Sequence, residues 1–327
     1  METTRNLLLR ALAHRQFHTG TELGARVGLS RAAVHKHVRA LVEQGVPTHS
    51  VPGRGYRLAD GVSLLDAAAI RQCLSPEAGA LDPRIEVLDE VDSTSAELAR
   101  GNDAASAGMR VCLAEKQTAG RGRRGRTWVA EPYRDLMMSM AVSYRQWPAE
   151  LPTLGLVTAM QVVDALSALG VPGLGVKWPN DVVHARGKVC GVLLDVTGEA
   201  HGACRVIIGI GINVSTGEDR TREIARQWTD LSALAGRTLD RNDIAGRCLD
   251  RLLPAYDRFP AAGFSPYRSA WTNHDRLCGR QVSVDCADGS TFQGEAAGVD
   301  ESGRLVVLGA DGARHCFTQG DVSVRRQ

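Results

Sequence analysis

The run VIIGIGINV, Val206 to Val214, constrains the fold more than any other stretch of the chain. It carries no charge, and six of its nine residues are Val or Ile. An apolar run this short and this β-branched reads as a strand buried inside a sheet. Asn213, at its end, is the polar exception. Further strand-type runs lie near 85–91, 110–115, 136–144, 174–177 and 189–196, with helical segments near 93–101 and 153–170. Alternation of this kind predicts an α/β (α+β) domain on one large mixed sheet. A helical connector is expected over 61–84, and another helix-rich stretch over about 221–259.

Both ends of the chain change pattern. Residues 3–14 read as a helix. In HTGTELGARVGLSRAAVHKHVRALVEQG, Thr21 is expected to cap a helix carrying Leu23 and Val27, with Gly28 ending it. Ser30 is expected to cap a second helix whose Val34, Val38 and Leu41 face inward. A hairpin around Pro52-Gly53-Arg54-Gly55 should follow, which makes a winged helix-turn-helix. Ser30, Arg31, His35, Lys36 and Arg39 then face a major groove, and Arg54 reaches the backbone from the wing tip. Residues 1–60 hold nine Lys/Arg against four Asp/Glu, whereas the rest of the chain sums to −3. That basic excess agrees with nucleic acid as a partner. From about 278 onward, short strands separated by DG, ESG and ADG turns predict an SH3-like β-barrel of about five strands.

Three patterns over 327 residues predict three domains: 1–62, 63–274 and 275–327. An apolar fraction of 43% gives ample material for a core. No apolar run is expected to span a membrane, and METTRNLLLRALAHRQ lacks the features of a signal peptide. A cytoplasmic protein with no membrane partner is the expectation. The eight cysteines form no C-x-x-C, which argues against zinc and for reduced, mostly buried thiols.

GRGRRGR, Gly120 to Arg126, satisfies G-x-G-x-x-G through Gly120, Gly122 and Gly125. A dinucleotide fingerprint needs a strand before it, a helix opening at the third Gly and an acid about 20 residues on. No helical pattern follows, because RTWVAEPYRD contains Pro132. Asp135 is too close, and four Arg would crowd a pyrophosphate held by backbone amides. The loop reads instead as a mobile anion clamp, with hinges from Gly and bidentate grip from Arg. In GVKWPNDVV, Asp181 follows Asn180 at a turn, where it could orient a nucleophile or bind magnesium. In HARGKVCGVLLD, Lys188 stands at a strand entrance, suited to a carboxylate or a developing negative charge. Gly191, inside that strand, marks a close approach by a ligand or another backbone. In EVDSTSAEL, Ser93 caps a helix, and hydroxyls at a helix start can hold a small polar head group.

In this order, the winged helix, GRGRRGR followed by Trp128, KWPND, GK-V-x-G, the G-I-N strand end and the C-terminal barrel resemble the bacterial biotin–protein ligases. The likeness covers almost the whole chain, and it is to the bifunctional kind that also represses the biotin operon. The resemblance implies formation of biotinyl-5′-adenylate from biotin and MgATP, then transfer of biotin to one lysine of the carrier domain of acetyl-CoA carboxylase. It implies an adenylate-bound homodimer on operator DNA. By position, it implies biotin binding by Ser93, Thr94, Ser95, Gln117, Arg121, Gly122, Arg123, Lys188 and Gly191. It implies nucleotide binding by Arg121, Arg124, Arg126, Trp128, Asn180, Asp181 and Asn213. Lys188, Asp181 and Arg123 are then the catalytic set, with Asp181 the candidate ligand for Mg2+. The chain departs from the family in three places: Ser95 replaces the Asn of S-T-N, Asp135-Leu136-Met137 replaces N-L-Y, and STGEDRTREIARQ is highly charged for a segment covering adenine. A ligase without repression, a small-molecule-sensing regulator without catalysis, and a lipoate ligase are the alternatives. Intact Lys188 and Asp181 disfavour the regulator, and the full GRGRRGR favours biotin over lipoate.

Overall fold

The structure is a computed structural model that describes residues 4–13, 16–101, 108–199, 202–215, 227–286, 289–318 and 323–326. Three helices open it: α1 (Thr4–Leu12), α2 (Gly20–Val27) and α3 (Arg31–Glu43). A hairpin of β1 (Thr48–Val51) and β2 (Gly55–Leu58) follows, so the winged helix-turn-helix is present. Its capping differs from the sequence reading in one place. Thr19, not Thr21, caps α2, because Glu22 stands three residues on and returns the bond to the Thr19 backbone. Thr21 has Gly24 at that position and no such partner. Gly28, in the left-handed region, ends α2, and the Ser30 hydroxyl accepts from Ala33 N to start α3. Leu8, Leu12, Leu23, Val34, Val38 and Leu41 form a core of their own.

The connector carries two short helices, α4 (Ala67–Gln72) and α5 (Pro76–Ala80). The central domain then runs β3 (Arg84–Leu88), α6 (Thr94–Arg100), β4 (Arg110–Ala114), β5 (Leu136–Tyr144), α7 (Leu154–Ala168), β6 (Gly175–Lys177), β7 (Asp181–His184), β8 (Gly187–Gly198) and β9 (Cys204–Ile212). These seven strands form one sheet in the order β3-β4-β5-β9-β8-β7-β6. Only β3 and β4 are parallel, so the sheet is mixed. The opening run is β9, paired on both sides and therefore central. β7 is absent from the sequence reading, where Asn180-Asp181 was placed at a turn. Its four residues are too few to establish a period, and the turn residues before them dominate the local signal. Helices α8 (Leu231–Ala235), α9 (Arg241–Ala262) and α10 (Ser265–His274) complete the domain. The helix-rich stretch expected over 221–259 thus becomes α8 and α9, with 221–226 outside the described residues and α10 added beyond it.

One expectation about length is corrected. Leu151–Ala168 reaches 18 residues at mean hydropathy 1.3, which is long and apolar enough for a span. Yet 72% of that stretch is buried inside the protein, where α7 packs on α9 and the sheet. Of the eight cysteines, four are buried, while Cys278 and Cys316 are exposed.

The last five strands are β10 (Gln281–Asp285), β11 (Thr291–Val299), β12 (Leu305–Leu308), β13 (Arg314–Phe317) and β14 (Ser323–Arg326). They make an antiparallel sheet in the order β13-β12-β11-β10-β14, matching the small β domain expected. It touches the central domain through an indole: Trp178 Nε1 donates to Gly303 O at 3.1 Å, and Trp178 is fully buried.

A buried ion pair fastens the connector. Arg241 is fully buried and donates to Glu115 Oε2 at 2.6 Å, to Asp135 O at 3.1 Å and to Ser63 O. The other Glu115 oxygen accepts from Leu65 N at 2.7 Å.

Candidate active site

One cleft of about 250 Å³ opens where β5, β9, β8 and β7 meet the start of α6 and the Arg-rich loop. Every residue assigned above to biotin or nucleotide lines it.

At one end stands a chain of buried hydroxyls. Ser93 caps α6, so Thr94 and Ser95 occupy its first turn and point at the sheet. Thr94 N and Oγ1 both donate to Gln117 Oε1, at 2.8 and 3.1 Å. Thr94 Oγ1 lies 2.7 Å from Ser139 Oγ, and Ser95 Oγ lies 2.9 Å from the same atom. Ser139 is fully buried on β5, opposite Gly209 of β9. A Cβ on Gly209 would come within 2.7 Å of Ser95 Oγ, so the glycine makes room for the cluster. Ser139 was missed in the sequence. Its signal is a serine set between methionines in a largely apolar strand, LMMSMAVSY. The departure at Ser95 also acquires a partner: its short side chain bonds Ser139.

The middle of the cleft is an aromatic platform. Gly191 and Gly211 face each other across β8 and β9. A Cβ on Gly211 would meet the Trp128 ring at 2.4 Å, and one on Gly191 would meet it at 3.0 Å. The close approach expected at Gly191 is therefore made by an indole. Among the described residues, Trp128 Nε1 is buried with no hydrogen-bond partner.

At the far end the charges gather. Lys188 Nζ lies 2.5 Å from Asp181 Oδ1 and 5.4 Å from the centre of the Trp128 ring. Both sit on the β7–β8 hairpin, which a register shift between Val182 and Val183 re-aims. Arg123 Nη1 donates to Asn180 Oδ1 at 3.1 Å, and Asn180 Nδ2 in turn donates to Val192 O. Burial holds the Arg123 guanidinium below its ordinary pKa; Asp181 works against that shift, while Arg124 and Arg126 add to it. Asn213 is buried, and its Nδ2 donates to Lys188 O at 3.1 Å and Thr229 O at 3.2 Å. It clasps the strand that presents Lys188. Among the described residues, no three His, Cys, Asp or Glu side chains converge on a metal position.

The Arg-rich loop folds over this cleft as a tight turn. Gly122 N donates to Arg126 O at 2.7 Å, and Trp128 N to Gly120 O at 2.9 Å. Arg124 at φ 58° and Gly125 at φ 69° reverse the chain between them. Arg121 turns to Asp195 on β8, at 2.7 Å, and Arg124 and Arg126 stay exposed. The departure at Asp135 is structural. Its fully buried carboxylate accepts from Glu131 N at 2.8 Å and Val214 N at 2.9 Å, joining the loop's exit to the end of β9. Most of the charged segment expected over the adenine, 216–226, lies outside the described residues.

In the N-terminal domain, Arg31, His35, Lys36 and Arg39 share the exposed face of α3. Arg39 Nε also pairs with Glu43 at 3.0 Å. Ser30 spends its hydroxyl on the cap. Arg54 is exposed at the wing and stacks over Phe17, 4.6 Å from the ring centre.

Residues 89–213 match the model of the biotin/lipoate A/B protein ligase family, 4–57 an HTH domain, and 277–325 the biotin protein ligase C terminal domain. The bifunctional ligase/repressor BirA of Salmonella typhimurium is 37% identical over 324 residues, covering 97% of this chain and 96% of that protein. The Escherichia coli protein of the same name is 35% identical over 319 residues, with the same coverage. Among solved structures, biotin protein ligase from Aquifex aeolicus in complex with biotin and ATP superposes with a TM-score of 0.63 at 28% identity, covering 75% of this chain and 99% of that one. With these matches over nearly its full length, the chain belongs to the biotin protein ligase family, in the bifunctional ligase/repressor branch.

Proposed function

We propose that this protein activates biotin with MgATP and transfers it to one lysine of a carboxylase carrier domain. The observation that carries this is the polarity of a single cleft: neutral hydroxyls and Gln117 at one end, an indole platform in the middle, and Lys188 with Arg123 at the other. A cyclic urea suits the first, because hydroxyls both donate and accept. An aliphatic chain suits the Trp128 platform, and a carboxylate beside a phosphate suits the cations.

In the first step a carboxylate oxygen of biotin attacks the α-phosphorus, and the bond to the bridging oxygen of pyrophosphate breaks. Two anions must approach, and negative charge grows on the transferring phosphorus group. Lys188 and Arg123 offset it most where the charge develops. Asp181 holds Lys188 in place and would be the residue to offer an oxygen to the magnesium that accompanies the nucleotide, which would neutralise phosphate charge. Arg121, Gly122, Arg124 and Arg126 form the cover over the adenylate, with Asn180 and Asn213 beneath it. A cover matters because the mixed anhydride hydrolyses in water. In the second step the carrier lysine amine attacks the acyl carbon and AMP leaves.

The domains are assigned as 1–62 for DNA binding, 63–274 for catalysis and 275–327 for the C-terminal module. The adenylate-bound protein dimerises on operator DNA, with Arg31, His35, Lys36, Arg39 and Arg54 facing it. A carboxylase partner and ATP place the reaction in the cytoplasm. Mass spectrometry of a carrier domain incubated with the enzyme tests the ligase reading. One lysine should gain a biotinyl group only when biotin and MgATP are both supplied. An unmodified carrier under those conditions contradicts it. A duplex carrying the operator should shift with the adenylate-loaded protein and not with the unliganded one; equal binding by both forms contradicts the repressor reading.

A further inference from the structure

Tyr133 belongs to the central domain by sequence and to the N-terminal domain by packing. It follows the Arg-rich loop by a few residues, yet its ring is buried in the core of α1, α2 and α3, at 2% exposure. Its backbone sits at φ 63°, in the left-handed region where a bulky side chain is rarely found. A conformation of that kind persists only where the surroundings hold it in place. Two bonds do so. Tyr133 N donates to Glu115 O at 3.1 Å, and the phenol oxygen accepts from Arg5 Nη2 at 2.5 Å.

Arg5 lies on α1 of the DNA-binding domain, and its other terminal nitrogen pairs with Asp89 at 2.7 Å. Asp89 leads into Val91, which pairs with Gln117, and then into Ser93 and Thr94. Tyr133 closes the other side, because the chain from Gly120 to Glu131 runs straight into it. One guanidinium therefore contacts two segments that lead into the cleft: the stretch from Asp89 to Ser93 and Thr94, and the segment that follows the Arg-rich loop.

We propose that Tyr133, held by Arg5, is a positioning residue through which the DNA-binding domain holds the walls of the active-site cleft closed on the adenylate. This rests on the ligase reading above. Neither side chain lines the cleft. Their effect falls on retention of the bound intermediate, not on the bond-making groups.

The test uses the full-length protein loaded with biotinyl-5′-adenylate made in place. Four single variants are compared: Tyr133→Gly, Tyr133→Phe, Arg5→Ala and, as a control, Arg10→Ala, which breaks a different contact between α1 and the connector at Asp66. Glycine adopts the Tyr133 backbone freely, so that variant removes the knob and keeps the path of the chain. The expected result is adenylate release faster by about fivefold or more in Tyr133→Gly, the lower end of ordinary coupling between sites. KM for biotin should rise and kcat for pyrophosphate exchange should stay within about twofold. Tyr133→Phe and Arg5→Ala should each show part of the effect, and their double variant no more than Arg5→Ala alone, because the Arg5–Tyr133 bond that Tyr133→Phe removes is already lost in Arg5→Ala. Thermal melting identifies variants that are folded. Wild-type retention in folded Tyr133→Gly and Arg5→Ala overturns the inference. So does an equal effect in Arg10→Ala, which would mean that any loosening of the domains suffices. If the wild type forms no adenylate, the ligase reading falls first and takes this inference with it.

Discussion

Ser139 joins the two buried hydroxyls that close one end of the cleft. Its hydroxyl bonds both Thr94 and Ser95, and among the described residues it is the group that bridges that pair. Ser139→Val keeps the strand and leaves two buried hydroxyls each short of a partner. KM for biotin should rise by about tenfold with kcat little changed, measured in steady-state exchange. Lys188, Asp181 and the Arg-rich loop were legible in the sequence because polar residues near Gly or Pro stand out against a strand pattern, whereas Gln117 entered only through the family resemblance. Ser139 was not. What gives it meaning is its register against Gly209, two strands brought together from 70 residues apart. Trp128 was legible as a site residue but not as a platform, since its seat is a pair of glycines that only sheet register brings together.

The elements fell into two groups. Those with a long period, such as α3, α7, β5 and β9, follow the sequence reading to within a few residues. β7 and α10 do not, one because it is four residues long, the other because SPYRSAWTNH has too few apolar positions to reveal a face. For α3, the exposed Arg31 and Lys36 make a quantitative expectation. Replacing both with Ala should weaken binding to duplex DNA and make the log–log salt slope shallower by about 2, one per lost phosphate contact. An unchanged slope removes α3 from the interface. The pairing of α10 with α7 depends on pH. His274 Nε2 lies 2.9 Å from Asp164 Oδ1, and that bond raises the imidazole above its ordinary 6.5 against the effect of burial. A raised folded value means that the contribution is complete below about 6.5 and fades as pH climbs through the folded value. The gap in melting temperature between wild type and His274→Gln should therefore be wider at about pH 6 than at about pH 8.

Across the molecule, the central domain is tied to its neighbours by buried polar contacts that no local pattern announces. Trp178 fixes the C-terminal sheet to the KWPND turn, and Arg241 fixes the connector to the residues just after β4 and just before β5. Arg241→Met strands Glu115 as a buried charge. Stability to urea should fall by about 3–5 kcal/mol, a far larger loss than for any exposed pair. Three domains were legible because three patterns succeed one another along the chain; their seams were not, because each depends on one long-range pair. On the proposed reading, these ties converge on a cleft that joins biotin to a nucleotide. Exchange of labelled pyrophosphate into ATP reads that reaction without any partner protein. Exchange should appear with biotin, be absent without it or with lipoate in its place, and drop by about a hundredfold or more in Lys188→Ala. Exchange that ignores biotin, or prefers lipoate, contradicts the assignment.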